Sequence, residues 1–252
     1  MLQQKGTVSV DARDLDSFQH LLLVSPAMRD VVLGFGVGST KVSQITNYAA
    51  RNIENVNRDL ARADFGWAGD DFVVIHTGNM GAKQGLENVV EAAKALGADA
   101  KVKVYLVGHG NQEANLKTLC EGIENISVVA AVADDQYSAL LAAADLLLVN
   151  ERSTQMEMSL PSKLTSYLYS ERPVIAAVPR GGATWKFLDG VAELVEAGDP
   201  KALAKKIIEL KADPKRCAEL ADKGSLFAAK NLSPEVGRAK YLEWVGKLIV
   251  SK

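Results

Sequence analysis

Lys83 and Lys163 are the residues of this chain whose placement points most directly to chemistry. Lys83 lies in Gly78-Asn79-Met80-Gly81-Ala82-Lys83-Gln84-Gly85, directly after the apolar run Phe72-Val73-Val74-Ile75-His76-Thr77 and directly before a helical pattern over 86–96. A strand that breaks into a Gly-rich turn and then a helix leaves backbone N–H groups at the helix start, where the positive end of the helix dipole also lies. With a lysine ammonium added, the pattern reads as a phosphate cradle. Lys163 lies in Leu160-Pro161-Ser162-Lys163-Leu164, which opens a second helix after the apolar run 146–149 and the loop 150–159. Pro161 fixes φ and removes one donor, leaving the N–H groups of Ser162 and Lys163 at that helix start beside a hydroxyl and an ammonium. Each motif alone is an ordinary turn or helix start. Two of them on one sheet edge suit a diphosphate held between two helix N-termini.

Weaker signals surround this pair. Gly108-His109-Gly110-Asn111 follows the apolar run 102–107; it reads either as a plain βα turn or as backbone that approaches a nucleotide at the carboxyl ends of the strands. His109 is then a polar contact or a solvated turn residue. Gly181-Gly182-Ala183-Thr184 opens a further helix that could meet a sugar or the distal phosphate, and Glu151 and Glu157 are the carboxylates near the site. His76, at the end of an apolar strand, reads as structural. No Ser/His/Asp or Cys/His set assembles. The Gly78–Gly85 turn fits neither G-x-x-x-x-G-K-[ST] nor G-x-G-x-x-G, which disfavours a P-loop ATPase and a simple NAD enzyme.

Bulk properties exclude other classes. A net charge of -2 over 252 residues gives no basic field for nucleic acid, and the lysines and arginines are scattered without aromatic interleaving. Cys120 and Cys217 stand far apart with no CxxC or clustered His, so neither a disulfide scaffold nor a metal site is expected. No apolar run approaches the ~18–20 residues of a membrane span. The expected setting is cytoplasmic and reducing, with peripheral contact at the inner face of the membrane left open.

The elements that must position the two lysines alternate from about residue 71. Strands are expected at 72–77, 102–107, 126–130, 146–149, 174–178 and 192–195, with helices at 85–96, 112–121, 134–144, 162–170 and 183–188. Two-sided apolar strands separated by helices make a doubly wound parallel α/β sheet. Asp134 or Asp135 is the expected cap of the helix carrying Tyr137. Three cap-plus-proline starts, Asp199-Pro200, Asp213-Pro214 and Ser233-Pro234, then open helices over 200–211, 214–230 and 234–249. The last presents a broad apolar face, for this domain or for a partner. Ahead of all this stand a short strand at 20–25, a helix at 26–35 and a strand at 42–46, then a polar connector over 47–70. That unit is too small to bury a core alone. The expected organisation is therefore 1–70, the tail of a second α/β domain plus linker, and 71–252, the nucleotide-binding domain.

Taken in order, Val24-Ser25-Pro26-Ala27-Met28-Arg29-Asp30, the Gly78–Gly85 turn, Leu106-Val107-Gly108-His109-Gly110, Ala144-Asp145-Leu146-Leu147-Leu148-Val149, Leu160-Pro161-Ser162-Lys163-Leu164-Thr165-Ser166-Tyr167 and Arg172-Pro173-Val174-Ile175-Ala176-Ala177 resemble the nucleotide-sugar-binding half of GT-B glycosyltransferases. More narrowly, they resemble the retaining group 1 family that includes transferases of capsule, colanic-acid and O-antigen assembly. The likeness implies a UDP- or GDP-linked sugar as donor substrate, a glycan or lipid-linked acceptor, and no metal or other cofactor. It assigns Lys83 and Lys163 to stabilising the departing nucleoside diphosphate. Gly78, Asn79, Met80, Gly81, Gly108, His109, Gly110, Pro161 and Ser162 would surround the donor. It also implies departures. Relatives carry two carboxylates eight positions apart where this chain has Met158 and Ser166, so Glu157 is the candidate substitute for the first and Ser166 takes the place of the ribose ligand. An arginine common in relatives is Asn79 here, and most of the acceptor-binding half is expected to be absent. The rival readings are a non-catalytic nucleotide-sugar-binding subunit that docks a chain supplying that half, and an epimerase acting on UDP-N-acetylglucosamine, for which no carboxylate/His set is present.

Overall fold

The computed structural model describes residues 15, 17–48, 53–54, 56–67, 69–154 and 160–250. Two parallel sheets are present among them. The small one pairs β1 (Leu21–Leu23) with β2 (Val42–Gln44), bridged by α1 (Pro26–Gly34), which Ser25 caps by accepting the Met28 N–H. Its core is slight: Leu23, Val32 and Val37.

The large sheet holds β3 (Phe72–Asn79), β4 (Val102–His109), β5 (Ile126–Val129), β6 (Leu146–Asn150), β7 (Val174–Val178) and β8 (Glu193–Glu196), in the order β5-β4-β3-β6-β7-β8, all parallel. This is the doubly wound arrangement that the strand-length apolar runs predict. β3 to β5 build outward on one side. The chain then returns to lay β6 against β3, so their carboxyl ends flank the switch point where open α/β sheets bind ligands. Burial on both faces follows the strand period of two. Val74, Leu146 and Leu148 face one apolar layer with α3 (Glu87–Leu96) and, after β8, α8 (Pro200–Ala212). Val73, Ile75, Leu147 and Val149 face the other with α5 (Tyr137–Ala143), α6 (Lys163–Tyr169) and α9 (Pro214–Asn231). Each such side chain taken fully from water contributes about 1.5–3 kcal/mol, so the two layers hold the frame under the site. The remaining helices are α4 (Glu113–Cys120), α7 (Ala183–Leu188) and α10 (Pro234–Val250).

The cap-plus-proline starts form as expected: Asp199, Asp213 and Ser233 accept the N–H groups of Ala202, Arg216 and Val236 at 2.9, 2.9 and 3.1 Å. The helix with Tyr137 does not begin as expected. Asp134 and Asp135 lie in a 3-10 turn, and the residue before α5 is Gln136, with no side-chain cap.

The polar stretch expected to be a connector also contains α2 (Arg58–Asp64), capped by Asn57. Its Arg62 is buried and donates to the carbonyl oxygens of Ala143, Gly69 and Asp71 at 2.9, 3.1 and 2.9 Å. Arg62 also pairs with the Asp145 carboxylate, which accepts from Arg58 at 2.7 Å and from the Val73 N–H at 2.7 Å. The Arg62 guanidinium is thus answered by a carboxylate and three carbonyls, and α2 is fastened under the amino ends of β3 and β6. Among the described residues no helix is long and apolar enough to cross a membrane.

Candidate functional site

A cavity of about 780 Å³ opens at the carboxyl edge of the large sheet, above the junction of β3 with its neighbours. Thr77, Gly78 and Asn79 supply its floor, Pro161, Ser162, Lys163 and Ser166 one wall, and Thr46 to Tyr48 of the small unit the facing rim. Tyr241 of α10 closes it from the side, its ring edge-on to Tyr48 with centroids 6.4 Å apart. The cleft thus lies between the two sheets, and its volume is in the range of small-molecule sites.

Lys163 is the charged side chain on this floor. Its Cε and Nζ lie 3.7 and 3.8 Å from where a Cβ on Gly78 would stand. The Nζ is 3.0 Å from His76 Nε2. Burial lowers its pKa to about 7, against an opposing pull from Glu151. Glu151 is itself buried at the end of β6 and accepts a 2.6 Å hydrogen bond from the Thr184 hydroxyl at the start of α7. Beside them the Thr77 N–H donates to the Tyr167 hydroxyl at 2.7 Å. Thr77 Oγ1 lies 3.1 Å from that hydroxyl and 3.2 Å from that of Tyr137. Burial and the neighbouring Tyr137 raise the Tyr167 pKa, so Tyr167 works as a fixed neutral hydroxyl.

The glycine turn differs from the geometry its sequence suggests. β3 runs on through Gly78 and Asn79, a 3-10 turn spans Ala82–Gln84, and the long helix starts only at Glu87. The Gly81 N–H, expected to be open to an anion, donates to the chain's own Gln84 side chain at 3.1 Å. Met80 is placed otherwise than expected: its side chain is in the core, its N–H donates to the His109 carbonyl and its carbonyl accepts from Gln112. Met80 therefore holds the turn rather than facing the cleft. The turn is clamped to the end of β6, where Asn150 Nδ2 donates to the carbonyls of Gln84 and Gly85 at 2.7 and 3.0 Å and the Arg152 N–H donates to that of Lys83. Gly85 has a φ of 56°, and a Cβ there would come within 3.1 Å of Arg152 Cα. Lys83 is exposed on the outer side of this clamp and is not among the residues lining the cavity.

The second turn sits beside the first because β3 and β4 pair Gly78 with Gly108 and Asn79 with His109. A Cβ on Gly108 would fall 1.9 Å from the Gly78 carbonyl oxygen, so only glycine lets the two strand ends meet. His109 is exposed and Gly110 half-buried at this edge. Of the residues singled out in sequence, then, Gly78, Asn79, Pro161, Ser162, Lys163 and Ser166 share the cleft, Gly108, His109 and Gly110 adjoin it, and Glu157 lies outside the described residues. Sequence reasoning missed the contact of His76 with Lys163 and the Tyr167–Thr77–Tyr137 group. The one signal for them was polar residues ending an apolar strand.

A six-stranded parallel sheet with helices on both faces, joined across a cleft to a smaller parallel unit, is the Rossmann-like α/β architecture of the GT-B fold. The chain belongs to the family described as Glycosyl transferases group 1, which its residues 57–226 match. It is 28% identical over 160 residues to WcaI of Escherichia coli (strain K12), a protein named for colanic acid biosynthesis, a match that covers 61% of this chain and 39% of WcaI. Among solved structures it is similar to Anabaena HepE in complex with UDP and glucose, with a TM-score of 0.80 and 19% identity over 94% of this chain and 65% of HepE. The sucrose-phosphate synthase of Thermosynechococcus elongatus aligns with a TM-score of 0.78 and 18% identity, covering 96% of this chain and 61% of the synthase. The chain thus spans less than two thirds of the length of each of these relatives.

Proposed function

We propose that the cleft binds a nucleotide-diphosphate sugar, UDP- or GDP-linked, and that the domain serves transfer of that sugar to a glycan or lipid-linked acceptor in cell-surface polysaccharide synthesis. The observation that carries this reading is the Lys163 ammonium on the cleft floor against Gly78. It is a cation at the switch point of a parallel sheet in a group 1 glycosyl transferase. We assign stabilisation of the leaving diphosphate to the positive charge of Lys163, with Lys83, exposed and outside the cavity lining, adding at most a weak long-range attraction. Ser162 and Ser166 would touch the donor from the wall, and Gly108, His109 and Gly110 its base and ribose. Retention of anomeric configuration, with the departing phosphate helping to deprotonate the acceptor, is part of the same reading.

A partner chain that completes the acceptor side is the second reading. Leu242, Val245 and Ile249 on α10 support it, being 67%, 42% and 70% exposed. Thermal denaturation with a panel of nucleotide sugars tests the main reading, since a ligand bound only by the folded state raises the midpoint by mass action. One or a few UDP- or GDP-sugars should raise it in a concentration-dependent way. No shift with any of them at millimolar concentration contradicts the assignment.

A further inference from the structure

His76 is an imidazole in an otherwise apolar strand, fully excluded from solvent, and it reaches two neighbours. Its Nδ1 lies 3.1 Å from the Leu148 carbonyl oxygen on β6. A carbonyl only accepts, so Nδ1 carries the hydrogen. In a neutral ring the other nitrogen is then an acceptor, and Nε2 stands 3.0 Å from Lys163 Nζ. The ammonium therefore donates one of its three hydrogens to His76, while the nearby Glu151 carboxylate also favours its charge. Neutrality follows from the surroundings. Burial pushes the His76 pKa well below its usual value and the Lys163 charge pushes the same way, against the hydrogen bond at Leu148.

The approach of the lysine depends on the strand. His76 and Gly78 share one face of β3, two residues apart. Glycine leaves that face bare at 78, and the Lys163 chain comes in over it. Near the pair, Glu151 follows directly on β6 and is held by Thr184 of α7, while on the opposite face of β3 the hydroxyls of Tyr137 from α5 and Tyr167 from α6 gather on Thr77.

We propose that His76 is a positioning residue for the diphosphate of the donor: its neutral imidazole aims the Lys163 ammonium at the carboxyl end of β3 without cancelling its charge. The inference rests on the reading of the cleft as a nucleotide-diphosphate site. A carboxylate in the same place would hold the lysine equally well but would satisfy its charge and compete with an incoming phosphate. An apolar side chain would remove this hydrogen-bond acceptor and the direction it gives the ammonium. The imidazole does neither. A consequence follows for protons. Burial has already brought the Lys163 pKa to about 7, so above that pH the ligand must restore the charge, and binding takes up a proton.

UDP and GDP are titrated calorimetrically into the wild type, His76→Phe, His76→Gln and Lys163→Met at about pH 8, in two buffers of different ionisation enthalpy. Loss of the aiming bond in His76→Phe should weaken binding by about tenfold, the scale of a charge-assisted hydrogen bond. The Gln carbonyl can accept from Lys163, so His76→Gln should return to within about threefold. Proton uptake should be present in the wild type and absent in Lys163→Met. A residue needed only for packing would not give rescue by Gln at equal melting temperature. If Lys163→Met weakens binding while both His76 variants match the wild type, the role of His76 is overturned and the site stands. A folded wild type that binds neither nucleotide removes the reading of the cleft, and this inference with it. Should His76→Phe not fold, nitrogen-15 NMR of the wild-type imidazoles decides: Nδ1 protonated and Nε2 bare from about pH 6 to 8 is expected. A ring that titrates there, or the opposite tautomer, overturns the proposal.

Discussion

The two ends of the large sheet treat buried charge in opposite ways. At the amino end the Arg62 guanidinium is enclosed and fully answered, by the Asp145 carboxylate and three carbonyls, and Asp145 in turn accepts from Arg58 and the Val73 N–H. At the carboxyl end the Lys163 ammonium is held by a neutral imidazole beside an open cavity. Matched charge fixes geometry and leaves nothing for a ligand. Charge held by a neutral acceptor costs stability and, in the proposed function, serves an anionic ligand. The contrast separates the half of the sheet that fastens the fold from the half that can do chemistry, within one set of strands.

The largest expected effect comes from breaking the matched end. Asp145→Ala leaves Arg62 buried without its counter-charge, and urea unfolding should show a loss of about 3–5 kcal/mol. Nucleotide binding by whatever fraction stays folded should be unchanged. Next is Lys163→Ala, where binding of UDP or GDP should fall by about 1.5–3 kcal/mol, or roughly ten- to hundredfold, with stability equal or higher.

The third prediction concerns pH. The Lys163 pKa is lowered in the folded state to about 7, so between there and its unfolded value of 10.5 the unfolded chain binds more protons. Apart from other groups, stability should therefore rise as pH increases from about 7 towards 10, and its cost is fully present below 7. Lys163→Met should abolish that rise. The smallest effect is expected of Lys83→Ala. Lys83 is exposed, so its contribution to an anion should be under about 1 kcal/mol and should fade as salt is raised.

Much of this contrast was legible in the sequence on one side only. The carboxyl end announces itself locally, through glycines and lysines at strand-to-helix junctions, and the apolar runs at 72–77, 146–149 and 174–178 give the sheet that holds them. The matched end does not. Arg62 sits in a polar stretch that reads as a connector, and its burial depends on Asp145, 83 residues further on. His76 read as structural for the same reason, because the partner that gives it a task is 87 residues away. Local pattern placed the helix after the glycine turn to within two residues of its Glu87 start but misread the turn before it: the Gln84 side chain takes the Gly81 N–H that a bare Gly-rich turn would have left open, and Asn150 ties down the carbonyls of Gln84 and Gly85.

The most direct test is a calorimetric titration of UDP into the wild type and Lys163→Met at about pH 7 and pH 8.5, in paired buffers. The wild type should bind at both, weaken as pH rises through the lowered lysine pKa, and take up protons at the higher pH, while Lys163→Met binds at least about tenfold more weakly with no uptake. Equal affinity of the two proteins at both pH values would contradict a cation reserved for diphosphate on the floor of this cleft.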